Sequence, residues 1–255
     1  MKKNDIFTTQ ITSYTSEGLG ICRINEMAVF VPETAVGDVL EVRITKVMKS
    51  YAYGKKERII TASASRTDID CPAFPRCGGC DFRHISYEEE LLFKKRRVED
   101  ALRHITGIDL LPEKIIGAEK ICFYRNKAQF PVKMYDGKPE LGFYRERSHD
   151  IIPIDLCRIQ RPECKDIISA LKQWMKEYDI PPYDETTLTG TVRHLYVRSS
   201  SASGEFLVCI VTNTDVLPHA DALTNYITKA CPAVGGIVHN INKSSGNKIL
   251  GDEYK

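Results

Sequence analysis

The sequence lacks any stretch approaching the roughly 18 uncharged apolar residues that a membrane-spanning helix needs. Its opening, "MKKNDIFTTQ", has two lysines with no apolar run behind them and does not read as an export signal. Together these absences predict a soluble, cytoplasmic protein with no membrane partner. The nine cysteines are an odd number with no export signal to accompany them, which argues against a disulfide framework and leaves reduced thiols or metal ligands. No excess of one charge is present either: 36 Lys and Arg stand against 34 Asp and Glu, for a net +2 in 255 residues. A glycine-rich nucleotide turn is also missing. "PAVGGIVHN" has glycines, but neither the spacing of a dinucleotide fingerprint nor a helix after them, so no Rossmann-like domain is expected in this chain.

What is present begins with a small β unit. Five apolar, β-branched runs fall near residues 5–14, 19–24, 27–31, 38–48 and 52–61, with Gly18, Gly20, Asn25, Pro32 and Gly37 as turn residues between them. That spacing predicts a small closed barrel. Charge is concentrated within it. Arg43, Lys46, Lys49, Lys55, Lys56 and Arg58 face a single acid of the same stretch, Glu57, and Tyr51 and Tyr53 are interleaved with them. Cations track phosphates and aromatic faces stack on bases, so this hairpin is a candidate RNA surface; a merely solvated edge would need the lysines but not the tyrosines.

Cys71, Cys77 and Cys80 follow, spaced C-x5-C-x2-C, with Gly78 and Gly79 free to take positive φ and bring amides close to sulfur. Three thiolates in one tight loop can aim at one point. A structural zinc usually draws two compact pairs, and no second pair follows; three clustered ligands with one distant cysteine suit a cubane iron–sulfur cluster better. Cys122, Cys157, Cys164, Cys209 and Cys231 are the candidates for the fourth ligand.

After the loop, "SYEEELLFKKRRVEDALRHITGI" predicts a helix with a Ser86–Glu89 capping box, a face of Tyr87, Leu91, Val98, Leu102 and Ile105, and a stop at Gly107. From about residue 118 the pattern becomes α+β. Strand-like runs at 121–134, 139–146, 192–200, 205–212 and 234–241 alternate with helices near 162–178 and 216–230. Arg125 and Lys127 are expected on one face of a strand. Phe143, Tyr144, Arg145 and Arg147 follow a hairpin turned at "YDGKPE".

The stretch "EGLGICRINEMAVFVPETAVGDVLEVRITK" resembles a TRAM domain, an OB-like RNA-binding barrel, over residues 5–61. A TRAM domain followed by C-x5-C-x2-C and, later, by "SHDIIPIDLC" is similar to the N-terminal part of the bacterial 23S rRNA (uracil-5-)-methyltransferases. Radical-SAM methylthiotransferases also join TRAM to a cluster, but they use C-x3-C-x2-C, which is absent. The resemblance implies a 4Fe–4S cluster on Cys71, Cys77, Cys80 and Cys157, with Cys164 as the runner-up for the last position. It implies RNA contacts from Arg125, Lys127, Phe143, Arg145, Arg193 and His194, through "FYRNKAQFPV", "GFYRERSHDII" and "VRHLYVR". These would join Lys46, Lys49, Tyr51, Tyr53, Lys55, Lys56 and Arg58 of the barrel. The family's S-adenosylmethionine site, nucleophilic cysteine and general base are expected beyond residue 255, so no residue here is assigned a catalytic or S-adenosylmethionine-binding role.

The fold expectation is an all-β TRAM barrel (1–62), a cysteine loop (63–85), a helix and linker (86–117), and an α+β central domain (118–255) supplying the fourth cysteine, with the methyltransferase domain absent. The functional expectation is the recognition portion of a 23S rRNA uridine C5-methyltransferase, monomeric and inactive alone. Two other classes compete with it. One is a free-standing RNA-binding protein with a structural zinc or iron–sulfur site, and the other an electron-transfer protein with a working redox couple and no RNA affinity.

Overall fold

The computed structural model describes every residue except Arg147 and Asn247. The chain divides into two compact units, Met1–Pro75 with Cys80–Glu119 and Arg76–Gly79 with Lys120–Lys255. The chain crosses from one to the other within the cysteine loop.

The first unit is built on six strands: β1 (Ile6–Gln10), β2 (Ser13–Tyr14), β3 (Gly20–Ile24), β4 (Met27–Val31), β5 (Val39–Val47) and β6 (Tyr51–Thr61). Their order is β1-β5-β6-β4-β3-β2. The run expected at residues 5–14 is split in two by Ile11 and Thr12. Its first half pairs with β5 and its second half with β3, so one bent stretch joins both edges and the sheet curls closed. Closure removes the exposed edges an open sheet would present. Cys22, Val29, Val31, Leu40, Val42, Ile44 and Ala52 fill the interior. Gly54 does not end a strand or turn it aside; it lies within β6, where a Cβ would meet Val42 Cγ1 at 2.3 Å. The barrel interior therefore demands glycine there.

A buried ion pair ties the following segment to the barrel. Asp38 is wholly buried and accepts from Arg66 Nε (2.8 Å) and Nη2 (2.7 Å) and from the amides of Ala35 (2.7 Å) and Ser63 (3.0 Å). Helix α1 (Tyr87–Ala101) then starts at Ser86, whose hydroxyl accepts from the Glu89 amide at 3.3 Å. Only half of the capping box forms, because the Ser86 amide is already bonded to Ser65 O at 2.7 Å. The buried face also differs from expectation. Phe93 is the one buried residue of α1, against Tyr14 and Phe82, while Val98 and Ile105 stand exposed. The last turn, Leu102–Thr106, widens to a π-helix and stops at Gly107, with φ 70°.

The second unit holds β7 (Lys127–Tyr135), β8 (Lys138–Tyr144), β9 (Ile151–Pro153), α2 (Cys164–Glu177), β10 (Val192–Ser199), β11 (Phe206–Thr212), α3 (Ala220–Ala230), β12 (Val234–Ile241) and β13 (Glu253–Tyr254). They form a seven-stranded sheet ordered β13-β12-β11-β10-β7-β8-β9. Asp136 (φ 47°) and Gly137 (φ 75°) make the tight β7–β8 turn that "YDGK" predicts. β11 and β12 are parallel, which requires a crossover, and α3 supplies it. Helices α2 and α3 bury Ile167, Leu171, Trp174, Leu223 and Ile227 with Phe130, Leu141, Leu195, Val208 and Ile210 of the sheet in one core.

Candidate nucleic-acid interface

The parallel pairing of β4 and β6 sets Phe30 opposite Tyr53 and Ala28 opposite Tyr51. Val29 and Ala52 point into the barrel, so by strand alternation Phe30, Tyr51 and Tyr53 share the outer face. Their rings form a triangle with centroid separations of 5.5, 5.7 and 5.7 Å. Since β6 runs on through Gly54, both tyrosines stay on this face. Phe30 was missed. Its signal lay in "MAVFV", where it alternates with Val29 and Val31 and so must face out.

Folding changes the charge balance of the hairpin. The sequence showed one acid, but Glu33 and Glu41 arrive from elsewhere in the barrel. Arg58 pairs with Glu41 (2.9 Å), Lys56 with Glu33 (3.5 Å), and Arg43 and Lys55 both with Glu57 (2.6 and 3.2 Å). Of the hairpin cations, Lys46 and Lys49 make no ion pair among the described residues. A register shift between Ile44 and Lys46 sets Lys46 opposite Tyr53, and Lys49 lies in the adjoining turn. The cations open to a phosphate are therefore beside the aromatic triangle, and Lys55, Lys56 and Arg58 are already engaged with carboxylates.

In the second unit the expected contacts separate. Arg125 and Lys127 are exposed, but they do not alternate on one strand: β7 begins at Lys127, and Arg125 is held outside it by its amide on Ile159 O at 3.0 Å. Lys127 pairs across the sheet with Arg198. Phe143 leans on Phe130, 5.0 Å between centroids, at the margin of the core. Arg145 is exposed, and its amide donates to Asp150 O at 2.8 Å. Arg147 lies outside the described residues. Arg193 and His194 are buried, against their expected place on the surface. Burial, with the neighbouring Arg193 charge, lowers the His194 pKa to about 4. Lys133 and Glu185, which sequence reasoning passed over, gather near them with Tyr144 and His149.

The cysteines sort by environment. Cys22, Cys164, Cys209 and Cys231 are buried; Cys71, Cys77, Cys80, Cys122 and Cys157 are half-exposed. Cys164 sits in the helix–sheet core, where burial pushes its thiol up to about 12 and opposes a thiolate role. Cys77 bridges to Arg145 through the backbone, and the Gly78 amide reaches Tyr144 O at 3.3 Å. Gly78 and Gly79 do not take positive φ. A Cβ on Gly78 would lie 3.4 Å from the Glu146 backbone, an ordinary van der Waals distance. No group of three or more His, Cys, Asp or Glu side chains is arranged to hold a metal ion among the described residues. The four cysteines of the implied cluster are thus not gathered into a ligand cage as they stand here.

Comparison with known proteins bears on these surfaces. Residues 7–64 match the family described as tRNA (uracil(54)-C(5))-methyltransferase, TRAM domain. Proteins named as uncharacterized RNA methyltransferases are 40% identical over 253 residues in Clostridium tetani and 40% identical over 254 residues in Clostridium acetobutylicum. A third, from Halalkalibacterium halodurans, is 38% identical over 258 residues. The alignments cover 98–100% of this chain, but it spans only 55–56% of the length of these relatives. The crystal structure of Pyrococcus abyssi tRNA (uracil-54, C5)-methyltransferase in complex with S-adenosyl-L-homocysteine matches 97% of the chain and 55% of its own, at TM-score 0.72 and 22% identity. This corrects the expected fold class. The second unit is not a separate domain defined by an iron–sulfur loop and set apart from a methyltransferase fold, because nearly the whole chain follows the fold of a methyltransferase. Sequence reasoning looked for a glycine-rich turn as the mark of that fold, and the likeness extends over strands and helices that carry none. Neither the inactivity expected of residues 1–255 nor a 23S rRNA substrate is supported by these likenesses. The chain carries a TRAM domain and is homologous along its whole length to RNA methyltransferases.

Proposed function

We propose that this chain recognises RNA for an S-adenosylmethionine-dependent uridine C5-methyltransferase. The observation that carries the reading is the aromatic triangle of Phe30, Tyr51 and Tyr53 with Lys46 and Lys49, which make no ion pair among the described residues, beside it on a TRAM domain. Stacking faces next to free cations suit unpaired nucleotides, whose bases stack while their phosphates are neutralised. Arg125, Lys127 and Arg145 are exposed cations of the second unit. S-adenosylmethionine supplies the methyl group when bound. The part of the chain's own residues is to hold the strand and orient the uridine.

The proposed substrate is 23S rRNA, on the pairing of a TRAM domain with C-x5-C-x2-C. The second reading is tRNA, favoured by the names of the matched family and of the solved structure. Titrating the protein with a tRNA transcript and with 23S rRNA stem-loops separates them. Tighter binding to one stem-loop than to tRNA supports the first, the reverse order supports the second, and no binding to either removes the RNA reading. A 4Fe–4S cluster on Cys71, Cys77, Cys80 and Cys157 belongs to the same proposal. It is supported by their spacing and by their lying outside the core that holds Cys164 and Cys231. Iron and acid-labile sulfide analysis after anaerobic purification tests it, with Cys157→Ser losing iron and Cys164→Ser keeping it. Equal iron in the parent and the Cys157 variant would remove the assignment.

A further inference from the structure

Arg193 is a charged side chain shut inside the second unit, 4% exposed. No carboxylate pairs with it among the described residues. Its Nη1 donates to the carbonyls of Asn242 (2.8 Å) and Ser244 (2.6 Å), and its guanidinium lies 4.5 Å from the centre of the Tyr183 ring. Among the described residues its buried Nε–H meets no acceptor, and the next residue, His194, 7% exposed, has a buried Nδ1 that is also without a partner. Clamping the 242–244 turn accounts for Nη1 but for neither orphan. A buried ion with no counter-charge costs several kcal/mol, and a ring face and two carbonyl dipoles offset only part of that.

The two orphans sit at a register shift in β10, between Val192 and His194, an irregularity of the kind that re-aims side chains beside binding sites. The surroundings are polar and charged. Lys133 Nζ and His149 Nδ1 lie 3.6 and 3.5 Å from the same Glu185 Oε2, and Lys133 also stands over the Tyr144 ring at 5.7 Å. Arg193, Glu185 and Lys133 all act electrostatically on His194, and Glu185 and Arg193 on Tyr144, so these residues form one cluster. Asp184 also interacts with Lys133, so the cluster holds two permanent cations and two acids. A neutral imidazole in the Nδ1–H form and the Arg193 Nε–H are two buried donors without an acceptor among the described residues.

We propose that Arg193, His194 and Lys133 form a binding site for a phosphate oxyanion, filled in the RNA-bound protein by a phosphodiester group of the substrate strand. The RNA part rests on the function proposed above. The oxygen accepts from Arg193 Nε and His194 Nδ1, and its charge supplies what the buried guanidinium lacks. Lys133 adds a second cation at the rim.

The test is NMR of the 15N-labelled protein, following the Arg193 Nε–H and His194 Nδ1 signals in two titrations. One uses inorganic phosphate and the other a single-stranded RNA oligonucleotide whose binding is tracked independently by fluorescence anisotropy. Both signals are expected to shift in step with RNA saturation. Lys133→Ala should flatten the log affinity against log salt slope by less than about 0.7, the share of one free cation on a phosphate, because Glu185 already holds Lys133 at 3.6 Å. If RNA binds by anisotropy while both signals stay in place, the inference is overturned and the RNA reading stands. If phosphate shifts them and RNA fails to bind, the oxyanion site stands and the RNA reading falls. If phosphate shifts them and bound RNA does not, the site takes free phosphate and its assignment to RNA is overturned. No shift with either probe refutes the site altogether.

Discussion

Replacing Lys46 and Lys49 together with alanine tests the barrel surface, and replacing Lys55 and Lys56 together is its internal control. Each pair removes two positive charges, so overall charge cannot distinguish them. In the structure Lys46 and Lys49 have no carboxylate partner among the described residues, whereas Lys55 and Lys56 hold Glu57 and Glu33 at 3.2 and 3.5 Å. A free lysine releases a counterion from RNA when it meets a phosphate, contributing about 0.7 to the salt slope for a single strand; two contribute about 1.4. Across a fourfold change in salt that is about a sevenfold difference in affinity. A lysine already paired with glutamate gains less on meeting phosphate, so the Lys55/Lys56 variant should lose less than half as much slope. Tyr53→Ala should behave differently again: a loss of about 1–3 kcal/mol from one stacked base, with the slope unchanged. Filter binding of a labelled RNA stem-loop over a salt series reads all three variants. A larger slope change for Lys55/Lys56 than for Lys46/Lys49 would refute the reasoning, since it would mean that the ion pairs seen here do not occupy those lysines in solution.

Gly54→Ala should destabilise the protein by about 1–3 kcal/mol, because the new methyl would overlap Val42 inside the closed barrel; an unchanged melting temperature would show that the barrel yields there. Asp38→Ala should cost about 3 kcal/mol or more in chemical denaturation by leaving Arg66 and the Ala35 and Ser63 amides without their acceptor. Burial raises the Asp38 pKa, but the Arg66 and amide hydrogen bonds outweigh it and hold the carboxyl below its ordinary value. The stability it contributes is therefore present above the unfolded carboxylate pKa and lost as pH falls through the folded one. His194 has the opposite charge change with the same direction in pH. Burial holds it neutral down to about pH 4, against an unfolded value near 6.5, so acidification between these values should remove about 3 kcal/mol. His194→Gln should flatten that part of the stability profile, leaving the shallower contributions of His84 and His239, both also lowered by burial. An unaltered profile in the variant would mean that His194 titrates alike in the folded and the unfolded chain.

Local pattern carried much of the architecture. Alternation in "MAVFV" and in Val39–Ile44, the Asp-Gly turn after β7 and the amphipathic run from Cys164 to Glu177 each act over a few residues, and each shows in the sequence. The TRAM resemblance rested on such local signals and covers nearly the residues that match. Electrostatics did not follow from sequence, because charge pairing depends on which strands become neighbours. Glu33 and Glu41 are far from Lys56 and Arg58 in the chain, and β-pairing alone makes them partners. Burial was equally hidden. Arg193 and His194 read as surface residues of "VRHLYVR", yet a register shift and the packing around β10 place them inside, where a missing counter-charge becomes a physical problem. By itself the sequence determined the strands, the helices and the residue types that can meet RNA, because these depend on neighbours within a turn or a strand. Tertiary structure alone decided which cations remain free and which polar atoms are left without partners, because both depend on groups that only folding brings together.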